Sequence, residues 1–204
     1  MNSSKRKIRR QEMKQSILDA ARHIISEKGA DRLNMRAVAD EIGYSPGVLY
    51  GYFGGKQDII ESVASQGYVS LDRYLHDVDQ GLPPKEYLVQ LSLAYIRFAL
   101  DNPDYYLVMF TTVPSADAVE EIRAEGSAFD MLLRAIQRGV EEGVFATAQH
   151  FSVRNMAYAA WANAHGLAML RITFLSDPDI LSDLDDRGTI QAFFRGLQAK
   201  EEQT

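Results

Sequence analysis

The fold is decided by residues 34–53, NMRAVADEIGYSPGVLYGYF. Apolar residues at three- and four-residue spacing predict two short helices, over about 35–42 and 46–53, on either side of a turn at Gly43. Asn34 is a suitable N-cap for the first helix, and the Ser-Pro pair after the turn suits the start of the second. Helices of about eight residues bury little surface on their own, so the pair needs a further element to hold it.

This pair has the features of a helix-turn-helix unit, in which the first helix braces the second so that it can enter the major groove of DNA. Such a unit needs a small residue where the helices cross, a glycine in the turn and an apolar lock, and Ala39, Gly43 and Leu49 fill these positions. Leu49 and Phe53, four residues apart, are predicted to face a preceding helix. Further inward packing is expected from Val38, Ile42 and Tyr44. Four residues are left to face outward: Gly47, Val48, Tyr50 and Gly51.

The remaining sequence is also patterned as helices, and no run of alternating β-branched residues predicts a strand. We therefore expect an all-α protein, with a three-helix N-terminal domain over residues 1–60 and a larger helical bundle over residues 61–204. A helix over about 10–28, ended by Gly29, should precede the pair and bury one stripe: Ile17, Leu18, Ala21, Ile24 and Ile25. Later helices are expected over about 56–79, 85–100, 104–112, 116–142, 152–175 and 187–200.

Charge is distributed unevenly along the 204 residues, whose net charge is −6. Residues 1–60 carry +4 and residues 61–204 carry −10. A basic head suits attraction to phosphates, and an acidic body suits solubility or a cationic or neutral ligand. The basic segment Lys5–Arg10 has two interpretations, a solvated tail or a contact with the minor groove or phosphates of DNA.

Composition and motifs argue against several other classes of protein. No segment has the length and apolarity of a membrane span, and the basic N-terminus is not followed by the apolar region of a signal peptide. The absence of cysteine excludes disulfides and thiolate chemistry and suits the cytoplasm, where we expect the protein. Phosphate-loop, dinucleotide and nucleophile-elbow motifs are missing, and the histidines lack metal-ligand spacing: His23, His76, His150 and His165. We expect no enzyme activity, no metal and no cofactor.

Several segments, taken in order, resemble the tetracycline-repressor (TetR) family over about residues 10–63. They are Ile17–Ala21, Glu27–Gly29, Met35–Ala39, Ile42–Ser45, Leu49–Phe53 and Lys56. The resemblance implies that Arg36 and Tyr50 contact phosphates or base edges and that Val48 lies against bases. It also implies that Tyr52 and Lys56 hold the DNA backbone. The full set of expected DNA-binding residues is Arg36, Ser45, Gly47, Val48, Tyr50, Tyr52 and Lys56.

Two positions depart from the family pattern. Gly51 stands where a larger side chain is common, and Gly55 stands where a serine commonly caps the next helix. Gly51 weakens a helix by roughly 1 kcal/mol relative to alanine but lets the backbone approach the duplex closely. Because the outward residues offer few hydrogen-bonding side chains, we expect contact with thymine methyl groups and DNA shape to carry much of the readout.

The second half resembles a subgroup of the same family with a Trp…His-Gly signature, here Trp161–Gly166, and residues 102–110 fit that subgroup as well. The resemblance implies a homodimer through the helices over about 152–175 and 187–200, whose small residues permit close approach. The alternative for the first of these helices is a place inside the bundle. A twofold dimer would read a palindromic double-stranded operator, with recognition helices about 34 Å apart or a multiple of that distance.

The resemblance further implies a repressor that a small-molecule effector, cationic or neutral, releases from DNA, with the helix over about 56–79 as the transmitting lever. The expected effector-binding residues are Tyr95, Phe98, Met109, Phe110, Phe129, Trp161 and His165. Tyr68, Tyr106 and Met169 are further candidates. Ordinary core packing explains most of these side chains equally well. The alternative function is a ligand-independent DNA-binding regulator whose helical domain only dimerises or binds a protein partner, and a filled core there would favour it.

Overall fold

The computed structural model describes residues 2–112, 120, 124–148, 151–174 and 184–198, with side chains from Ser4 onward. In these ranges the regular structure is helical, which confirms the expected all-α class. The helices are α1 (Asn2–Lys28), α2 (Met35–Ile42), α3 (Pro46–Leu49), α4 (Lys56–His76), α5 (Pro84–Asp101), α6 (Pro103–Thr111), α7 (Ala128–Glu141), α8 (Val153–Thr173) and α9 (Asp186–Gly196). A short 3-10 turn, Ala30–Arg32, lies between α1 and α2.

The described residues fall into two compact units. The first is drawn from Met1–Val69 and Asn102–Ala118, and the second from Ser70–Asp101 and Val119–Thr204. The first unit therefore holds α1 to α3, the start of α4, and α6. The predicted division at residue 60 was based on sequence order alone and stays a prediction, whereas packing places α6 with the N-terminal helices.

The core of the first unit is built around one face of α1. The five residues of the predicted stripe are all buried: Ile17, Leu18, Ala21, Ile24 and Ile25. Leu49 is 0% exposed and Phe53 is 6% exposed, and both belong to the same cluster, as predicted. The other helices contribute Val38, Ala39, Ile59, Ile60, Val63 and Val108. This cluster fixes α2 and α3 on α1.

Helix α1 is longer than the sequence predicted, because it begins at Asn2 and not near residue 10. Residues 4–14 contain no glycine or proline and are rich in Lys, Arg, Gln, Glu and Met, which favour helix. The predicted start was based on the stripe of apolar residues. That stripe marks only the part of α1 that packs on the core, so it could not show that the helix extends further toward the N-terminus. The basic segment Lys5–Arg10 is accordingly part of a helix and not an extended tail.

Helix α3 is shorter than predicted, because it ends at Leu49 and not near residue 53. Beyond it the backbone tightens: the Gly51 N–H donates to the Val48 carbonyl at 3.1 Å and the Tyr52 N–H to the Leu49 carbonyl at 2.9 Å. A Cβ on Gly51 would lie only 3.2 Å from the Val48 oxygen. Glycine at this position thus favours a tight turn over continued α-helix.

Local capping explains the ends of the short helices. Asn34 caps α2 as predicted, since its Oδ1 accepts a hydrogen bond from the Ala37 N–H at 2.9 Å. Gly43 ends α2 in the left-handed region, with a φ of 74°. Ser45 occupies the N-cap position of α3, but its side chain makes no capping hydrogen bond.

The N-terminus of α4 is capped by a side chain from within the helix. Gly55 offers no side chain, and the carboxylate of Asp58 instead accepts from the Gly54 N–H at 2.8 Å. An acid in the first turn also interacts favourably with the helix dipole.

In the second unit, α5 packs against α7, α8 and α9. The prediction of one continuous helix over 116–142 was wrong, since residues 124–127 are not helical and α7 begins at Ala128. Gly126, with a φ of 82°, interrupts the pattern, and Ser127 caps α7 by accepting from the Asp130 N–H. The first residues of that predicted helix lie outside the described residues. Elsewhere the helix ends agree with the predictions to within about four residues, which is normal for sequence patterns.

Across the described ranges, none of the helices has the length and apolar character needed to cross a membrane.

Two neighbouring substitutions test how α3 is held. Leu49→Ala should lower the free energy of unfolding by about 2–5 kcal/mol, because it leaves a cavity in the core. Tyr50→Ala, its matched control, removes a side chain that is 58% exposed and should change that free energy by no more than about 0.5 kcal/mol. Urea denaturation followed by circular dichroism measures both. Equal losses in the two variants would contradict the packing described for α3.

Candidate functional site

The candidate site is the outer surface of α3 and of the turn that follows it. The four residues predicted to face outward are all exposed, with Val48 at 37% and Tyr50 at 58%. Gly47 and Gly51 leave the backbone of this surface uncovered. A helix that buries Leu49 and exposes its neighbours leaves one side free, and an α-helix fits into the major groove of DNA.

Tyr44 lies on this outer surface, although it was predicted to face inward. Its side chain is 47% exposed. The left-handed conformation of Gly43 redirects the chain, so the helical spacing that placed Tyr44 beside Ile42 no longer applies. A phenol so close to α3 is a further candidate for a phosphate contact, and the turn glycine was the signal that could have found it.

Tyr52 and Tyr50 have different environments. Tyr52 is half-buried, and the guanidinium carbon of Arg10 lies 5.0 Å from its ring centroid. Tyr50 is 58% exposed, which confirms the prediction that it faces outward.

Two cations of α1 contact residues 51–53, which form the turn after α3. An Arg10 guanidinium N–H donates to the Gly51 carbonyl at 3.1 Å. The Lys14 ammonium lies 5.5 Å from the centroid of the Phe53 ring. Sequence reasoning assigned Arg10 to the basic segment Lys5–Arg10 and did not predict its contact with the turn after α3, because that contact joins residues 41 positions apart. Cation–π contacts and a charged hydrogen bond together fix the turn that follows α3.

The other predicted DNA-binding residues lie around α3. Arg36 is exposed, with its Nε 4.0 Å from the Asp40 carboxylate, and Ser45 is exposed at the start of α3. The Lys56 ammonium donates to the Ala30 carbonyl at 2.8 Å. An ammonium has three donors, so this bond leaves Lys56 able to contact a phosphate. The roles of these residues in DNA binding stay a prediction.

A polar network ties α6 to the other helices of the first unit. Arg22 in α1 forms an ion pair with Asp104 at 2.8 Å, and its guanidinium carbon lies 4.5 Å from the centroid of the Tyr105 ring. The Tyr105 hydroxyl donates to Gln66 at 3.1 Å, and Gln66 donates to Gln15 at 3.0 Å. A movement of α6 would therefore act on α1 and α4 through specific partners.

In the second unit, four residues of the predicted effector set form a ring cluster: Tyr95, Phe129, Trp161 and His165. The Trp161 Nε1–H donates to the Tyr95 hydroxyl at 3.3 Å, and that hydroxyl is 3.1 Å from His165 Nδ1. The centroids of the Phe129 and Trp161 rings are 6.0 Å apart. The hydroxyl oxygen accepts from the indole N–H, and its own proton can be donated to His165 Nδ1 when that nitrogen carries no hydrogen.

Partial burial lowers the pKa of His165 below its ordinary value of 6.5. The cause is the removal of water from a ring that would carry a charge when protonated. A neutral imidazole is also the form that can accept the Tyr95 hydrogen bond.

The other predicted effector residues have the following surroundings. Phe98 is fully buried, and its ring centroid is 5.6 Å from that of Tyr74. Phe110 belongs to the first unit, where its ring lies 4.8 Å from Tyr106. Met109, in the same unit, is so close to Gly67 that a Cβ there would be 2.5 Å from its sulfur. A role of these side chains in binding an effector stays a prediction.

No group of three or more His, Asp or Glu side chains suited to a metal ion occurs in the part of the chain that the structure describes.

The fold and the exposed surface of α3 define a helix-turn-helix regulator, and comparison with known families agrees. Residues 17–63 match the model for bacterial regulatory proteins of the tetR family, and residues 88–183 match that for the tetracyclin repressor-like C-terminal domain. The chain belongs to the tetR family, as the sequence motifs predicted. This family consists of regulators and not of enzymes, which confirms that expectation for the chain.

Individual relatives cover part of the chain. Over 84 residues it is 31% identical to the HTH-type transcriptional regulator UidR of Escherichia coli K12, across 40% of this chain and 43% of UidR. Over 90 residues it is 29% identical to the uncharacterized HTH-type transcriptional regulator YobS of Bacillus subtilis 168, across 44% of this chain and 47% of YobS. The chain thus spans less than half the length of these relatives.

The solved structure of a tetR-family regulatory protein from Rhodococcus RHA1 is similar over nearly the whole fold. The match has a TM-score of 0.74 and covers 92% of this chain and 98% of that chain at 19% identity. This likeness confirms the fold, with an N-terminal helix-turn-helix followed by a helical C-terminal domain.

The lowered pKa of His165 predicts a pH dependence of stability. The unfolded state takes up a proton near pH 6.5, whereas the folded state binds that proton only at lower pH. The free energy of unfolding should therefore fall as the pH drops below about 6.5, and His165 should have no effect above it, where both states are neutral.

His165→Asn supplies the matched control, because the asparagine oxygen can still accept from Tyr95 but does not titrate. Urea denaturation between about pH 7.5 and pH 5.5 should show a smaller loss of stability for this variant than for the parent. Identical pH profiles would rule out the contribution of His165.

Proposed function

We propose that the protein is a DNA-binding transcriptional regulator that binds a palindromic operator as a homodimer and represses transcription until a small molecule releases it. The observation that carries the proposal is the surface of α3, where Val48 and Tyr50 are exposed while Leu49 is 0% exposed. A regulator of this kind acts on the chromosome, so we place it in the cytoplasm.

The proposed DNA contacts follow the geometry of this surface. Val48, Gly47 and Gly51 lie against base edges. Tyr44 and Tyr50 reach phosphates or bases. Around them are the remaining residues of the proposed interface: Arg36, Ser45, Tyr52 and Lys56. Arginine and lysine at the rim of an apolar surface fit a mode in which phosphates set the position and base contacts set the specificity.

Dimerisation is supported by the outer face of α8. Tyr158 is 65% exposed, Leu170 46% and Phe174, at its end, 79%. Ala162 and Gly166 lie between them, and small residues allow a second helix to approach closely. An apolar surface of this kind is typical of a contact between proteins. We propose that α8 and α9 of two copies pack together and place two copies of α3 on one face of the duplex.

The ring cluster is the proposed effector site, because it combines apolar rings with two or three convergent polar groups. The charge of −10 over residues 61–204 favours a cationic or neutral effector over an anionic one. Transmission to DNA would use α4, which begins in the first unit and ends in the second, as the lever.

A second candidate function, ligand-independent regulation, has one observation in its favour. The hydrogen bonds from Trp161 to Tyr95 and between Tyr95 and His165 satisfy these polar groups within the protein. A cluster that satisfies itself serves equally well as a structural core. A screen of small molecules for release of bound DNA separates the two functions.

The proposed function is tested by selecting bound fragments from genomic DNA and sequencing them. We expect enrichment of a palindrome whose half-sites are separated by about one helical turn or a multiple of it, because a twofold dimer spaces its recognition helices in that way. Failure to enrich any sequence would overturn the proposal, and enrichment of a single unrepeated half-site would overturn the dimer.

Two variants serve as controls in the same selection. Val48→Glu places a carboxylate on the exposed surface of α3 and should enrich nothing, because it repels phosphates without disturbing the core. Ala162→Arg places a charge on the outer face of α8, so this variant should be monomeric by light scattering and should lose the palindrome. A strict monomer that still binds the palindrome with full affinity would contradict the dimer.

A further inference from the structure

The start of α1 forms a second basic surface beside α3. All residues from Ser4 to Arg10 are exposed, and five of them are cations: Lys5, Arg6, Lys7, Arg9 and Arg10. The helix continues for eight residues before Arg10, which corresponds to about 12 Å at 1.5 Å per residue. Such a length exceeds what the core of the first unit requires.

Arg10 defines which side of this segment faces the recognition turn. Its guanidinium donates to the Gly51 carbonyl at 3.1 Å and lies 5.0 Å from the Tyr52 ring centroid. One turn further along α1, Lys14 contacts the Phe53 ring in the same manner. The face of α1 that carries Arg10 and Lys14 is therefore the face turned toward the end of α3.

Helical spacing places two further cations on that face. Arg6 is four residues before Arg10 and Lys7 is three residues before it, and residues at these spacings are neighbours on a helix surface. Because α1 is one continuous helix from Asn2, Lys7 and Arg6 lie about 4.5 Å and about 6 Å beyond Arg10 along its axis.

The opposite face of the segment has a different composition. Lys5 and Arg9 are four residues apart and share this face with Glu12, which is three residues from Arg9 and seven from Lys5. An acid on the same face offsets part of its positive charge. The face turned toward α3 has cations without an acid over residues 4–14.

Neither Arg6 nor Lys7 has a carboxylate within ion-pair distance in the part of the chain that the structure describes. Their side chains are exposed and lie on the face of α1 that carries Arg10 and Lys14. Phosphates are the ligands that such a row of exposed cations attracts beside a groove-reading helix.

We propose that Arg6, Lys7 and Arg10 form a basic ridge that lies along the phosphate backbone next to the groove read by α3. Arg10 positions the ridge through Gly51 and Tyr52, and Arg6 and Lys7 contact the phosphates. The ridge extends the footprint of the protein beyond the helix-turn-helix and adds affinity that does not depend on base sequence. This inference rests on the proposed DNA binding, and it concerns residues outside the helix-turn-helix.

Two double variants with the same change in charge test the ridge. Arg6→Gln/Lys7→Gln removes the two cations of the ridge face, and Lys5→Gln/Arg9→Gln removes two cations from the opposite face. Glutamine favours helix about as well as lysine and arginine, so α1 should persist in both, as circular dichroism can check. Binding is measured by fluorescence anisotropy on the selected palindrome and on a random-sequence duplex of about three helical turns.

The measured quantity is the slope of log affinity against log salt concentration. Each phosphate contact contributes about 0.9 to this slope, so the ridge variant should lose about 2 per protomer on both duplexes. The control variant should stay within about 0.5 of the parent. Equal losses of slope in the two variants would contradict the ridge, because they would mean that any cation near the start of α1 acts in the same way. Unchanged slopes in both variants would also contradict it, because they would mean that none of these cations contacts a phosphate.

The outcome for the proposed function is separate. If the parent protein binds the palindrome and both double variants bind it with the slope of the parent, the ridge is wrong and the regulator stands. If the parent binds neither duplex at any salt concentration, the proposed DNA binding fails, and the ridge fails with it.

Discussion

Burial of Leu49 and Phe53 is the contact on which the rest of the structure depends. Helix α3 has four residues, and so short a helix has no stability of its own in water. Its shape is imposed by the cluster that α1, α2, α4 and α6 form around those two side chains. The exposed neighbours of Leu49 are positioned by that packing, and a functional surface needs such support from the residues beneath it.

The same dependence gives α1 two roles. Its apolar stripe fills the core beneath α3, and further along the same side of the helix Arg10 and Lys14 hold the turn that ends α3. The Arg22–Asp104 ion pair connects α1 to α6 as well. These contacts all involve one continuous helix. A displacement of α6, or of the turn that follows α3, would therefore have to disturb the packing of α1 in the core of the first unit.

The sequence predicted the parts of the fold that depend on burial and on local backbone chemistry. The stripe from Ile17 to Ile25, the Asn34 cap and the turn at Gly43 are all found as expected. Each rests on a rule that involves residues a few positions apart. The family could be recognised for the same reason, since its motifs lie within short segments.

The features that the sequence did not predict are of two kinds. Some depend on contacts between residues distant in sequence, and one, the start of α1, lies outside the hydrophobic core. The start of α1 has no apolar stripe, so periodicity could not detect it. Tyr44 follows a left-handed glycine, after which helical spacing no longer indicates direction. The predicted effector set joined aromatic residues by type, and the structure brings Tyr95, Phe129, Trp161 and His165 together. Which aromatic residues meet across helices depends on packing between residues distant in sequence.

Base preference in a Val48→Ala variant tests most directly whether α3 reads the major groove. Parent and variant would be compared on the selected palindrome with each base pair replaced in turn. If Val48 packs on a thymine methyl group, the variant should lose about 1–2 kcal/mol on the intact site and its preference at one base pair of each half-site, with the other positions unchanged. A variant that keeps the parent's preference at every base pair would contradict the placement of α3 in the groove.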